Sequence, residues 1–261
     1  MLRNVNELHG LSIHATDGEL GSVDEFYFDD RHWSIRYMVV NAGGWLLRDT
    51  VLISPRSIRA IDWDRRRVDV DLTREQVQAA PSTETDRPVS RQMELAHSAY
   101  YNYDPYWYGS GLSGGMSYSH AGAGPLPAGM QATEREREVE HDQPSRDTHL
   151  RSTREVIGYH IRASDGAIGH ISDMLIDEAT WAVRYLVVDT HNWLPGKHVL
   201  VAPAWVSAVS WADRTVDADL SRDIIKTAPE YDPAQLNRSF EEGLYRHYQR
   251  SVYWDEPPTK G

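Results

Sequence analysis

Apolar residues in the ordered-looking parts of this chain follow the periodicity of strands. The hexapeptides "RVDVDL" (67–72) and "TVDADL" (215–220) alternate strictly, which predicts strands with one face in a core and the other in water. Upstream of each, "FYFDDRHWSIRYMVV" (26–40) and "MLIDEATWAVRYLVV" (174–188) are β-rich runs divided by a polar turn. Asp17-Gly18 and Asp165-Gly166 are hairpin signals, because Gly readily takes the positive φ of a primed turn. Asp62–Arg66 and Ser210–Arg214 mark a further turn in each half. The pattern predicts about six short strands per half, with hairpin connections and no room for crossover helices. A small antiparallel barrel is the economical way to close such a sheet and hide its edges.

The two halves are copies. Gly10–Pro81 aligns without a gap to Gly158–Pro229, and 27 of the 72 positions are identical. A repeat this long exceeds a solenoid unit and implies two domains of one fold. The identities fall on turns and packing positions. Gly21 and Gly169 suit bends or close backbone contact. Trp33, Trp45, Trp181 and Trp193 suit large core-covering aromatics, and Arg36-Tyr37 with Arg184-Tyr185 suggest a repeated ion-pair or stacking site. The repeat thus preserves an architecture.

A second, weaker similarity follows each barrel. Residues 88–107 match 234–254 after one deletion, so that Arg91, Glu94, Tyr101, Tyr106 and Trp107 meet Arg238, Glu241, Tyr248, Tyr253 and Trp254. Met93, Ala96, His97 and Tyr100 fall on one helical stripe, as do Phe240, Leu244 and Tyr248. Each barrel is therefore followed by a short helix and an aromatic tail. The resulting division is a first barrel over 1–85, its helix and tail over 86–108, a linker over 109–150, a second barrel over 151–230, and a second helix and tail over 231–261. The linker is rich in Gly, Ser, Pro and Tyr and then in charge, so the barrels are expected to be mobile relative to one another unless the tails lock them.

Composition narrows the function. With 39 acidic against 27 basic residues the formal charge is −12, which disfavours nucleic acid and anionic membrane as partners. Cysteine is absent, which excludes disulfides, thiolate metal sites and a thiol nucleophile. No apolar run is long enough to span a membrane and the first ten residues lack a signal-peptide core, so a cytoplasmic location is expected.

The motif Asp-Gly-x-x-Gly, then Asp-x-x-x-Trp-x-x-Arg-Tyr, then Trp-Leu and "VLI(S/A)P", resembles the PRC-barrel family, to which the photosynthetic reaction-centre H subunit and the ribosome maturation factor RimM contribute barrels. The tail "DRPVSRQMELA…PYW" resembles the extension of bacterial stand-alone members with two barrels. The resemblance implies tandem barrels that act in protein interaction and assembly, without shared catalytic residues.

Reactive constellations are scarce in the sequence. Asp24, Glu25, Asp29, Asp30, Asp173, Asp177 and Glu178 form no EF-hand pattern, and Asp29-Asp30 falls where a hairpin turn belongs. The 12 His show no zinc-ligand spacing, and His14 and His32 are Arg162 and Thr180 in the other copy. "GSGLSGG" (109–115) lacks the Lys-Ser/Thr of a phosphate loop. The expectation is a non-enzymatic scaffold with no cofactor and no metal, binding partner proteins or itself through an interface that includes Tyr106, Trp107, Tyr253 and Trp254. Tyr and Trp favour interfaces because they bury large area while keeping a hydrogen bond. The alternative is a small-ligand or metal sensor that uses the cleft between the barrels.

Overall fold

The computed structural model describes residues 1–44, 46, 50–81, 89–106, 149–190 and 197–255. Its first half contains β1 (Leu2–Asn4), α1 (Val5–Leu8), β2 (Ser12–Ala15), β3 (Gly18–Asp29), β4 (Ser34–Asn41), β5 (Thr50–Ile53), β6 (Ile58–Asp62), β7 (Arg67–Val70), α2 (Arg74–Ala79) and α3 (Arg91–Tyr100). The second half repeats the series as β8 (Leu150–Ser152), α4 (Thr153–Val156), β9 (His160–Ala163), β10 (Gly166–Asp177), β11 (Val183–Asp189), β12 (His198–Val201), β13 (Val206–Ser210), β14 (Thr215–Ala218), α5 (Arg222–Lys226) and α6 (Arg238–Tyr248). The fold is mainly β, as the periodicity of two requires.

Each half forms a sheet of the same order, β5-β4-β3-β2-β7-β6 and β12-β11-β10-β9-β14-β13. The hairpins are antiparallel, but β2 pairs with β7, and β9 with β14, in parallel. The long strands β3 and β10 curve round the core with register shifts between Val23 and Glu25 and between Ile171 and Asp173. Such bulges add the twist that a small closed sheet needs. At the same bend Gly21 and Gly169 have φ of 141° and 151°, and a Cβ there would overlap the carbonyl of Asn41 or Asp189 on the neighbouring strand. Only glycine satisfies both constraints.

Asp17 and Asp165 do more than shape a turn. Each carboxylate accepts the backbone N–H of Arg74 or Arg222 at 2.8 Å, which ties the β2–β3 or β9–β10 hairpin to the start of the following helix. Gly18 and Gly166 lie beneath those arginine side chains.

The first strand of each copy belongs to the other barrel. β1 pairs antiparallel with β10, Leu2 opposite Asp177 and Asn4 opposite Leu175. β8 pairs with β3, Tyr27 opposite Ser152 and Asp29 opposite Leu150. The short helices follow, α1 onto β10 and α4 onto β3. Val5 and Val156 are fully buried, and a single apolar core runs from Val5 and Phe26 through Val156 and Ile176 to Tyr248. The two barrels are thus halves of one exchanged pair. A smaller cluster of Tyr37, Val39, Leu52, Val89, Met93 and Leu150 seats α3 on the outer face of β4 and β5.

Candidate functional site

The repeated Trp-x-x-Arg-Tyr segment lies where the barrels meet. Trp33 and Trp181 occupy the turns before β4 and β11 with φ of 50° and 58°. The carbonyl of Trp33 accepts the N–H of Val183 at 2.7 Å, and that of Trp181 accepts the N–H of Ile35 at 2.8 Å. Ser34 and Ala182 form a β-bridge between them. Phe28 stacks on Trp33 at 5.2 Å, and Phe26 of barrel one lies 6.2 Å from Trp181 of barrel two. The cation–π contacts of the seam are also paired: Arg3 lies 4.1 Å from the centre of Trp63, and Arg151 lies 4.2 Å from that of Trp211.

Three residues further on, Arg36 and Arg184 point towards the tails. The Arg36 guanidinium covers the Tyr106 ring at 3.7 Å, and Arg184 covers Tyr253 at 4.2 Å. A buried glutamate completes each clasp. Tyr106 donates to Glu94 at 2.9 Å, while Tyr253 and Tyr185 donate to Glu241 at 3.1 Å and 2.9 Å. Arg238 sits 3.3 Å from Glu241 and stacks on Trp254 at 3.9 Å, and Arg91 sits 3.7 Å from Glu94. Burial pushes the Tyr37, Tyr106 and Tyr185 hydroxyls above the ordinary phenol range, and the adjoining Glu94 or Glu241 charge adds to it. These hydroxyls remain protonated donors.

Copy one contains one extra member. His149, placed by the exchanged β8, brings Nε2 to 2.7 Å from Glu94 and 2.7 Å from the Tyr106 hydroxyl, and both side chains of the His149–Glu94 pair are buried. Met1 is the matching residue in copy two. The Arg and Glu positions of the tails repeat in the sequence, but nothing local there connects them to Arg36 and Tyr37. His149 itself is not repeated, since only the residues after it, Leu150-Arg151, match Leu2-Arg3.

The remaining candidates have defined places. Tyr106, Tyr253 and Trp254 are half-buried against their own barrels, and Trp45, Trp107 and Trp193 lie outside the described residues, as do the 109–115 glycine run and almost all of the 109–150 linker. Asp29 is a turn acid: it accepts from His32, Arg36 and the Arg31 amide at 2.9, 3.1 and 2.9 Å. Burial opposes its charge, but these hydrogen bonds outweigh it and hold its carboxyl below the usual range. Asp177 plays the same part for Ala179 and Thr180. No group of three or more His, Asp or Glu among the described residues is arranged to hold a metal ion.

Comparison with protein families matches the PRC-barrel domain twice, over residues 2–77 and 150–223. The chain belongs to the PRC-barrel family. The two matched regions begin at the exchanged strands β1 and β8 and include the Trp-x-x-Arg-Tyr seam of each copy. PRC-barrel domains are in general non-catalytic protein-interaction modules. Comparison with curated proteins finds no match. Among the described residues, no helix of this PRC-barrel protein is long and apolar enough to cross a membrane.

Proposed function

We propose that this protein is a non-enzymatic scaffold whose two PRC barrels act as one body to bind partner proteins or a second copy of the chain. The observation that carries this reading is what the duplication kept. Trp33 and Trp181 join the barrels, while Arg36, Tyr37, Arg184 and Tyr185 hold the tails, and no nucleophile or acid–base pair is duplicated with them. A binding platform needs a rigid frame more than a reactive centre.

The proposed contact surface is the aromatic tails, with Tyr106, Trp107, Tyr253 and Trp254 as anchors. Tyr106, Tyr253 and Trp254 are half-buried and held by cation–π contacts, the tyrosines also by hydrogen bonds, so little rotamer entropy is lost when a partner covers their open faces. The partners are proteins rather than nucleic acid, given the charge of −12.

Native mass spectrometry of the protein purified gently from its own source tests this. A multiple of the chain mass, or a second polypeptide bound in fixed ratio, is expected. Trp107→Ala/Trp254→Ala should remove that association while thermal melting remains cooperative. A lone monomer across a wide concentration range, or association unaffected in the double variant, would refute the tail interface.

A further inference from the structure

The two copies differ sharply at one place, beside the tail clasp. In copy two, Trp205 and Tyr245 are 4% and 3% exposed and fill the space between the barrel and α6. Trp205 lies 5.2 Å from Tyr245 and 4.7 Å from Tyr248, and Tyr245 lies 5.8 Å from Trp254. The aligned residues of copy one are Ser57 and Ser98. Two adjoining hollows stand there, of about 670 Å³ on the side of Ser98 and about 520 Å³ on the side of Ser57, with Arg56 and Tyr103 shared by both. The larger lies between barrels and takes in the Glu178–Trp181 turn of barrel two.

The same divergence changes the charge. Arg56 and Arg59 line the larger hollow, whereas copy two has Ala204 and Ser207 at those positions. Arg56 is exposed, and among the described residues its guanidinium donates only to the carbonyl of Asp104, at 2.7 Å. Arg59 is exposed and makes no hydrogen bond or ion pair among the described residues. The other charges on the walls are mostly engaged, Glu178 with Arg3 at 2.7 Å and Arg36 with Asp29 at 3.1 Å, which leaves the carboxylates of Asp104 in the larger hollow and Asp71 in the smaller as the opposing charges. His97, behind them, donates to the Leu52 carbonyl at 3.1 Å and stays neutral because of its burial. Hydroxyl donors come from Ser34, Ser54 and Tyr103.

We infer that this cleft in copy one is a binding site for a small anion, a phosphate or carboxylate held by Arg56 and Arg59 and flanked by tyrosine and serine hydroxyls. The volume is that of a small-molecule site. Planar guanidiniums with no carboxylate partner are suited to a bidentate oxyanion. In a chain of −12 charge, two such arginines beside a hollow whose wall carries Ser98 in place of the copy-two tyrosine form a local exception to the surface. This site goes beyond the scaffold reading and does not depend on the tails binding protein.

Calorimetric titration of the full-length protein in low salt with pyrophosphate, AMP and citrate, each separately, tests the site and distinguishes phosphate from carboxylate sources. At least one probe should bind saturably with one-to-one stoichiometry. Arg56→Ala/Arg59→Ser, which installs the copy-two residues, should weaken it by about tenfold or more. Ser98→Tyr, the copy-two filling, should abolish it while melting stays cooperative. If that variant fails to fold, Ser98→Leu takes its place, and Arg65→Gln, in the exposed turn before β7, serves as the charge control. No heat from any probe at millimolar concentration overturns the inference. So does binding that survives the arginine changes, binding that survives a folded cavity-filling variant, or equal weakening by Arg65→Gln.

Discussion

Val183 donates its backbone N–H across the barrel boundary to the carbonyl of Trp33, 2.7 Å away, and Ile35 does the same to Trp181 at 2.8 Å. Both tryptophans hold positive φ, which for a bulky residue costs on the order of 1–3 kcal/mol unless the surroundings enforce it. Here the enforcement is mutual, because each turn supplies the acceptor for the other barrel's strand. The seam is therefore a property of the pair. A barrel parted from its twin would lose these bonds and one strand of its sheet.

The exchange predicts that damage at one end of the chain appears in the other barrel. Deleting residues 1–4 removes β1 from β10. Hydrogen exchange should then accelerate at Leu175–Asp177 while the amides of β4 and β5 keep their protection, since open edges exchange through local unfolding. Faster exchange confined to barrel one would contradict the assigned pairing.

The glycine bends give a matched contrast. Gly21→Ala places a methyl on the Asn41 carbonyl, so β3 and β4 must separate, and a loss of about 3 kcal/mol or more is expected in denaturant unfolding. Gly43→Ala, at φ of 59° but facing open space, should lose only about 1 kcal/mol. Equal losses would show that the close approach at Gly21 is relieved elsewhere.

The clasps predict an asymmetry between the copies. Glu94→Ala leaves both the buried His149 imidazole and the Tyr106 hydroxyl without their acceptor, and should destabilise by about 1–3 kcal/mol or more, as leaving buried polar groups unsatisfied does. Glu94→Gln keeps the acceptor for Tyr106 and should lose less. Glu241→Ala strands the Tyr185 and Tyr253 hydroxyls but no buried imidazole, and its charged partner Arg238 is half exposed and can turn to solvent, so its loss should be smaller than that of Glu94→Ala. Urea melts of the three variants decide the order.

Two buried groups give opposite pH dependences. Burial lowers His97 from 6.5 to about 4, so the folded state binds fewer protons than the unfolded one between those values. Stability from this group is full above pH 6.5 and is lost as pH falls towards 4, by roughly 3 kcal/mol. His97→Leu, the copy-two residue at that position, should flatten this acid limb. Burial raises Asp173 from 3.8 to about 6, despite hydrogen bonds from the Met174 and Asn6 amides. The folded state then binds the extra proton, so stability falls as pH rises from 4 to 6. Asp173→Asn retains the acceptor and should raise stability at pH 7 by up to about 3 kcal/mol, with no gain below pH 4. Stability curves against pH for both variants check the signs.

Much of the frame was legible in the chain because its signals are local. Strand periodicity, the Asp-Gly turns and the 148-residue repeat follow from neighbouring residues or from comparing one stretch with its copy. Asp17 as a helix cap was missed, since its partner Arg74 is 57 positions away. The link between Arg36 and Tyr106 was equally out of reach: each is a repeated residue, but the repeat shows that both are kept and not that they touch.

By itself, then, the sequence determined two mainly β PRC barrels, each with a helix and aromatic tail. Only the tertiary structure decided which strand completes which barrel. β3 and β10 are copies of one another, so Leu2–Asn4 and Leu150–Ser152 find nearly the same apolar pattern and hydrogen-bonding edge in either one. Local preference is degenerate between the two pairings. The choice rests on long-range geometry: the crossing at Trp33 and Trp181, and the single core that forms only when the first strands change places.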